Sequence, residues 1–182
     1  ALLTTKGFRD VLEIARQTRP ELYDLSPSPR QPLVLQDLRF EVDERMDFEG
    51  HVQTPISDTN LVEVIDRLIE AKPEAVAVCF LFSYLNPVHE LQVKKLLSER
   101  NIDVSISSEI APESREYERT STVVVNAYVK PIVQKYLSRL SDAMDEKGCS
   151  NLLVMQSNGG TINTAEASAH AVRTVLSGPA GG

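Results

Sequence analysis

AVAVCFLFSYL, residues 75–85, decides the fold of this chain. A strand with one wet face alternates apolar and polar residues, whereas this run is apolar at nearly every position, which predicts a strand buried on both faces. Eleven residues cannot cross a bilayer, so the run is a core element and not a membrane span. Lys72-Pro73 stops whatever precedes it, and Asn86-Pro87 supplies a cap and a first-turn proline for a helix after it.

Reading outward, Asn60 with Glu63 three residues on predicts a helix start, and Leu61, Val64, Ile65 and Leu68 form one apolar stripe. Residues 88–100 predict a second helix, and Ile102, Val104 and Ile106 a further strand. The longest helical stretch runs between Glu113 and Lys147, with Ile132, Val133, Tyr136, Leu137, Leu140 and Met144 on one face; Pro131 is expected to divide or kink it. Strand LLVMQS, a glycine turn, a short helix TAEASAHA and a strand VRTVLS complete the pattern. Alternating helices and strands over residues 58–182 predict a mainly parallel α/β sheet.

The first 57 residues read differently. ALLT is a strand, FRDVLEIARQ a short helix, and residues 19–32, with four prolines, an extended connector. Leu38, Phe40 and Val42 alternate, and Glu49-Gly50 forms a turn before His51, Val52 and Thr54, so residues 33–56 predict a small antiparallel ribbon. The expected organisation is therefore 1–32 as an α/β segment with its connector, 33–57 as the ribbon, and 58–182 as the main α/β segment ending in glycines.

The chain has 182 residues, a net charge of −7 and 42% hydrophobic residues. That is enough for one core, and without grouped Lys and Arg it excludes a nucleic-acid footprint. No membrane partner is expected. Cys79 and Cys149 lack the spacing of a metal or redox pair, which fits a reduced, cytoplasmic setting. His51, His89 and His170 stand apart without a metal-ligand pattern, and the acidic run FEVDERMDFEG reads as a solvated face, so no metal site is expected.

Three stretches carry chemistry. SGPAGG is neither a Walker A loop nor a dinucleotide fingerprint; it offers glycine backbone free to approach a ligand or a neighbouring helix, with Ser177 as a hydroxyl donor. MQSNGG, at the end of a strand, offers Gln156, Ser157, Asn158 and Gly159 as polar contacts, or else an ordinary turn in which Asn-Gly supplies positive φ. SREYERTSTVVVNAY places Arg115, Glu118, Arg119 and Asn126 on a helix entry, either as salt-bridged surface or as the polar wall of a cleft.

Taken in order, TTKGFRDVLEIARQTRPELYDL, LFSYLNPVHE, SSEIAPESREYERTSTVVVNAYVKP, MQSNGG and RTVLSGPAGG resemble the hydantoinase A and 5-oxoprolinase family of hydantoin-utilization proteins, which includes the acetone carboxylase type of subunit. The resemblance implies an actin-like ATPase fold with ribonuclease-H-like halves closing over ATP and Mg²⁺. It implies ATP-driven opening of a cyclic amide or imide, hydantoin or 5-oxoproline in type. Ketone carboxylation, or ATP-dependent regulation of a partner enzyme, is the alternative. In that frame Ser177, Gly178, Gly181 and Gly182 lie at a hinge near nucleotide, and Arg115, Glu118, Arg119, Asn126, Gln156, Asn158 and Gly159 near substrate or cleft. The family's D-x-G-G-T phosphate hairpins are absent from this chain. An internal fragment is therefore expected, without ATPase activity or tight nucleotide binding of its own, partnered by the rest of its parent chain and by a hydantoinase-B-like subunit. Such a piece is also expected to self-associate through uncovered apolar surface.

Overall fold

The structure is a computed structural model that describes residues 1–18, 23, 31–148 and 152–181. Most of the proline-rich connector, Cys149 and Gly182 lie outside the described residues. The chain divides into two compact units, Ala1–Val124 and Val125–Gly182.

The first unit is built on a four-stranded sheet in the order β2-β1-β5-β6, from β1 (Leu2–Thr5), β2 (Arg39–Val42), β5 (Val76–Cys79) and β6 (Val104–Ile106), and every pairing is parallel. The residues of β5 are buried throughout, as the unbroken apolar run requires. One face carries Leu3, Val76, Val78, Phe80 and Ile106 into a core closed by α2 (Asp58–Glu70), through Leu61, Val64, Ile65 and Leu68, and by α3 (Val88–Glu99), through Val93 and Leu97. The other face is more polar: Thr4 Oγ1 donates to the Cys79 carbonyl at 2.9 Å, and Thr120 Oγ1 lies 3.2 Å from Cys79 Sγ.

Several expectations are corrected here. Arg39–Val42 is not part of an antiparallel ribbon but the edge strand of the parallel sheet, because Phe40 and Val42 pack on the core and the Val42 carbonyl accepts from Lys6 N at 3.0 Å. The ribbon is confined to β3 (Arg45–Met46) and β4 (Val52–Thr54). Helix α2 starts two residues before Asn60, whose Oδ1 is buried without a partner among the described residues. The parallel sheet thus draws on residues 2–106 and not on 58–182.

Helix α5 (Glu116–Asp145) is continuous through Pro131, so the proline does not divide it. Its apolar residues are also not one face. Val133 and Leu137 pack with Ile162 and Ala167, whereas Tyr128, Ile132 and Tyr136, spaced by four, are 64%, 69% and 63% exposed.

In the second unit, β7 (Leu153–Met155) pairs antiparallel with β8 (Thr161–Asn163), and α6 (Thr164–Ala169) follows with Asn163 Oδ1 accepting from Glu166 N at 2.8 Å. MQSNGG is therefore the turn of a hairpin and not a strand-to-helix junction. VRTVLS is not a strand either: Ala171–Thr174 forms a 3₁₀ helix and Ser177–Gly181 a short α7. Its β-branched residues suggest a strand, but side chains of Asn126 and Ser157 take the backbone groups that a ladder would need.

Candidate functional site

In open parallel sheets, ligands gather beyond the carboxyl ends of the strands. Here that edge holds a buried polar cluster. Glu90, fully buried in the first turn of α3, accepts from Phe80 N at 3.0 Å and Ser107 Oγ at 2.6 Å with one oxygen, and from Ser108 N at 2.8 Å with the other. One carboxylate so ties the exit of β5 to the junction of β6 with α4 (Ser107–Ile110). Ser83 Oγ joins the group, 2.9 Å from Ser107 Oγ and 3.0 Å from the Phe80 carbonyl.

Beside it, Thr5 Oγ1 bonds Glu44, and the other oxygen of Glu44 lies 2.7 Å from His89 Nδ1, all three side chains buried. A nucleophilic triad needs the imidazole between hydroxyl and carboxylate. Here the carboxylate is in the middle, so the imidazole does not meet the Thr5 hydroxyl, and the chain of bonds fixes geometry instead. Sequence reasoning missed Glu44, Glu90 and Ser107 altogether and set His89 aside. The available signal was the Asn86-Pro87 cap, whose Asn86 Oδ1 accepts from Val88 N at 3.2 Å and puts His89 and Glu90 in the first helical turn.

Arg119 is 1% exposed, donates from Nη2 to the Phe80 carbonyl at 2.8 Å and stands over the Tyr84 ring at 5.3 Å. Its Nε and Nη1 are buried without a partner among the described residues. Glu118 is paired with Arg16 at 2.6 Å; its own backbone amide and then Arg16 hold its carboxyl below the usual range. Arg115 is exposed and contributes a carbonyl to the Arg119 amide. Cys79 is buried, and burial pushes its thiol up despite the nearby Arg119. With Cys149 replaced by serine, Cys79 is expected to resist iodoacetamide at pH 8 until denaturant unfolds the chain. Rapid labelling of the native protein would contradict that burial.

Contrary to the solvated face expected from sequence, the acidic run is not wholly exposed, since Glu44 is 2% exposed. Asp47, Glu49 and His51 bring one possible metal-ligand atom each within 4.8 Å of one another. Asp47 Oδ1 already accepts the amides of Glu49 and His51, and these bonds, led by that of His51, lower its pKa. These bonds make Asp47 a clasp of the β3–β4 turn.

In the second unit, Gln156, Ser157, Asn158 and Arg173 line a cleft of about 480 Å³. Gln156 N donates to the Gly160 carbonyl at 2.7 Å, Asn158 Oδ1 accepts from Gly160 N at 3.1 Å, and Gly159 takes φ +87°, the conformation expected of this turn. Ser157 fastens the turn to the 3₁₀ helix, its Oγ lying 2.7 Å from the Arg173 carbonyl and 2.6 Å from that of Val175. Asn126 is fully buried and clamps the same segment: Nδ2 donates to the Ala169 carbonyl at 3.2 Å and Oδ1 accepts from Val172 N at 3.0 Å. Ser177 is partly buried, and a side chain at Gly178 would meet nothing within 4 Å, so packing among the described residues does not account for that glycine. Gly181 ends α7. Gln156, Asn158 and Gly159 are thus together, as are Glu118 and Arg119 elsewhere, while Asn126 serves the interior.

Comparison with known proteins bears out the family resemblance. The profile of the hydantoinase/oxoprolinase N-terminal region matches residues 1–101, and that of hydantoinase/oxoprolinase matches residues 119–182. 5-Oxoprolinase 1 of Arabidopsis thaliana is 36% identical over all of this chain, which covers 16% of that protein. The crystal structure of the ATP-dependent caprolactamase from Pseudomonas jessenii superposes with a TM-score of 0.89 at 33% identity, over 99% of this chain and 27% of that one. A nucleotide-free acetone carboxylase, described as acting in ATP-dependent acetone carboxylation, gives 0.87 at 28% identity, over 100% and 28%. The chain therefore spans little more than a quarter of these relatives, or less.

Proposed function

This chain belongs to the hydantoinase/oxoprolinase family, and from that premise we propose that it is part of an ATP-dependent enzyme that opens cyclic amides or imides. The observation that carries the reading is the cleft of Gln156, Ser157, Asn158 and Arg173. Side-chain amides present a donor beside an acceptor, the complement of a lactam N–H and C=O, and a guanidinium suits an anionic substituent or phosphate. Ser177, Gly178, Gly181 and Gly182 stand in this reading for backbone that nucleotide approaches, and Arg115, Glu118 and Arg119 for a polar wall.

ATP supplies the phosphoryl group that makes an amide oxygen a better leaving group; the residues here orient and bind. Mg²⁺ would arrive with the nucleotide and neutralise phosphate charge. No described helix is long and apolar enough to cross a membrane. The reading places the enzyme in the cytoplasm, with the rest of a longer chain and a second subunit as partners.

The test uses the whole protein that carries these residues. ATP hydrolysis stimulated by 5-oxoproline, hydantoin or caprolactam, with one ADP and one phosphate released per ring opened, is the expected result. Stimulation by acetone with bicarbonate instead would replace this reading by the carboxylase one, for which the acetone carboxylase likeness speaks. No stimulation by either set would favour an ATPase that acts on a partner protein.

A further inference from the structure

Arg173 stands out in the second unit because its backbone is fixed far more firmly than its charge. Its amide donates to the His170 carbonyl at 2.9 Å, and its carbonyl accepts from Ser157 N at 2.7 Å with Ser157 Oγ at the same distance. Three contacts thus set the Cα beside the hairpin turn. Among the described residues the guanidinium has a single ionic neighbour, Glu166 Oε1 at 3.5 Å, with the two side chains 40% and 43% exposed. A pair so long and so wet contributes little and holds neither group tightly.

Among the described residues, the guanidinium is also the only cation lining a cleft of about 480 Å³, whose other walls are the neutral side chains of Gln156, Ser157 and Asn158. Arginine keeps its charge at every physiological pH and presents its donors as a planar fork that matches two oxygens of one anion. Glu166 cannot satisfy that fork at 3.5 Å, and its position on α6 is set separately, by the Asn163 cap on its amide.

We infer that Arg173 is the anion ligand of this cleft, gripping a carboxylate or phosphoryl group of the bound molecule, and that Glu166 is a weak internal competitor which the ligand displaces. The inference rests on the cleft assigned under the proposed function and adds the group that selects charged ligands there. A substrate carboxylate and a nucleotide phosphate share the chemistry, and paired probes separate them: 5-oxoproline against 2-pyrrolidinone, which lacks the carboxylate, and ATP against adenosine.

Binding of the four probes to the whole protein is measured by calorimetry, for the native sequence and for Arg173→Ala, Arg173→Lys and Glu166→Gln. Arg173→Ala is expected to weaken one of the charged probes by roughly 10- to 100-fold and to leave its neutral counterpart unchanged. Arg173→Lys should recover part of the loss, and Glu166→Gln should bind the same anion as well as the native protein or better. Loss confined to 5-oxoproline assigns the grip to substrate; loss confined to ATP assigns it to nucleotide. Equal binding of both anions by native protein and a folded Arg173→Ala variant overturns the inference, as does equal loss of charged and neutral probes in Arg173→Ala and Arg173→Lys alike. Ring opening with unchanged KM values in Arg173→Ala would sink this inference and spare the cyclic-amide reading, whereas Arg173-dependent anion binding without ring opening would do the reverse.

Discussion

Glu90→Ala is expected to cost about 3–5 kcal/mol of stability, the largest loss from a single substitution at the sheet edge. The carboxylate is fully buried and accepts from Phe80 N, Ser107 Oγ and Ser108 N. Alanine leaves the Phe80 and Ser108 amides without this acceptor and Ser107 Oγ with Ser83 Oγ alone, and each orphaned donor costs about 1–3 kcal/mol before any collapse of the site. Glu90→Gln keeps an acceptor but points an N–H pair at groups that are themselves donors, so a smaller loss is expected. Because removing the side chain also frees the β6–α4 junction, the melting temperature should fall by on the order of 10 °C. Denaturant unfolding of both variants decides the matter: a Glu90→Ala loss below about 1 kcal/mol would mean that water replaces the carboxylate and that the hub holds nothing together.

The second large effect is expected at Asn126. Its side chain bonds the Ala169 carbonyl and the Val172 amide, groups more than forty positions away along the chain. Asn126→Ala should lose about 2–4 kcal/mol, because two part-buried backbone groups lose their partner and the fully buried side chain leaves a void. Asn126→Asp keeps the acceptor for Val172 but turns the donor for Ala169 into a second acceptor, so it should fall between. Hydrogen exchange locates the damage. The Val172 and Arg173 amides should lose protection together, since the 3₁₀ helix is held from one side by Asn126 and from the other by Ser157. Unchanged exchange at Val172 in Asn126→Ala would show that Ser157 alone secures the segment.

These two residues mark where sequence reading stops. Leu61, Val64, Ile65 and Leu68 announce α2, and the run at 75–82 announces β5, because burial there follows from periodicity within one element. Glu90 and Glu44 are charged, and a charge reads as surface until its partners are known. Those partners are a backbone amide ten residues away and a histidine 45 residues away. The same limit explains the edge strand: Phe40 and Val42 show alternation, but alternation alone does not say whether the neighbouring strand runs parallel or antiparallel. At the candidate site, Gln156, Asn158 and Gly159 were legible as a turn with polar groups. Arg173 was not, because VRTVLS reads as a strand until Asn126 and Ser157 are seen to take its backbone.

Helix α5 has a consequence for anyone moving it to another scaffold. At about 100° per residue, Tyr128, Ile132 and Tyr136 continue the arc begun by Val133 and Leu137 until it spans roughly half the helix circumference. Only the Val133–Leu137 side is spent on the core with Ile162 and Ala167. A graft that supplies one hydrophobic wall therefore wets the other half of the arc, and polar residues at 128, 132 and 136 are the substitutions that turn a two-walled helix into a one-walled part.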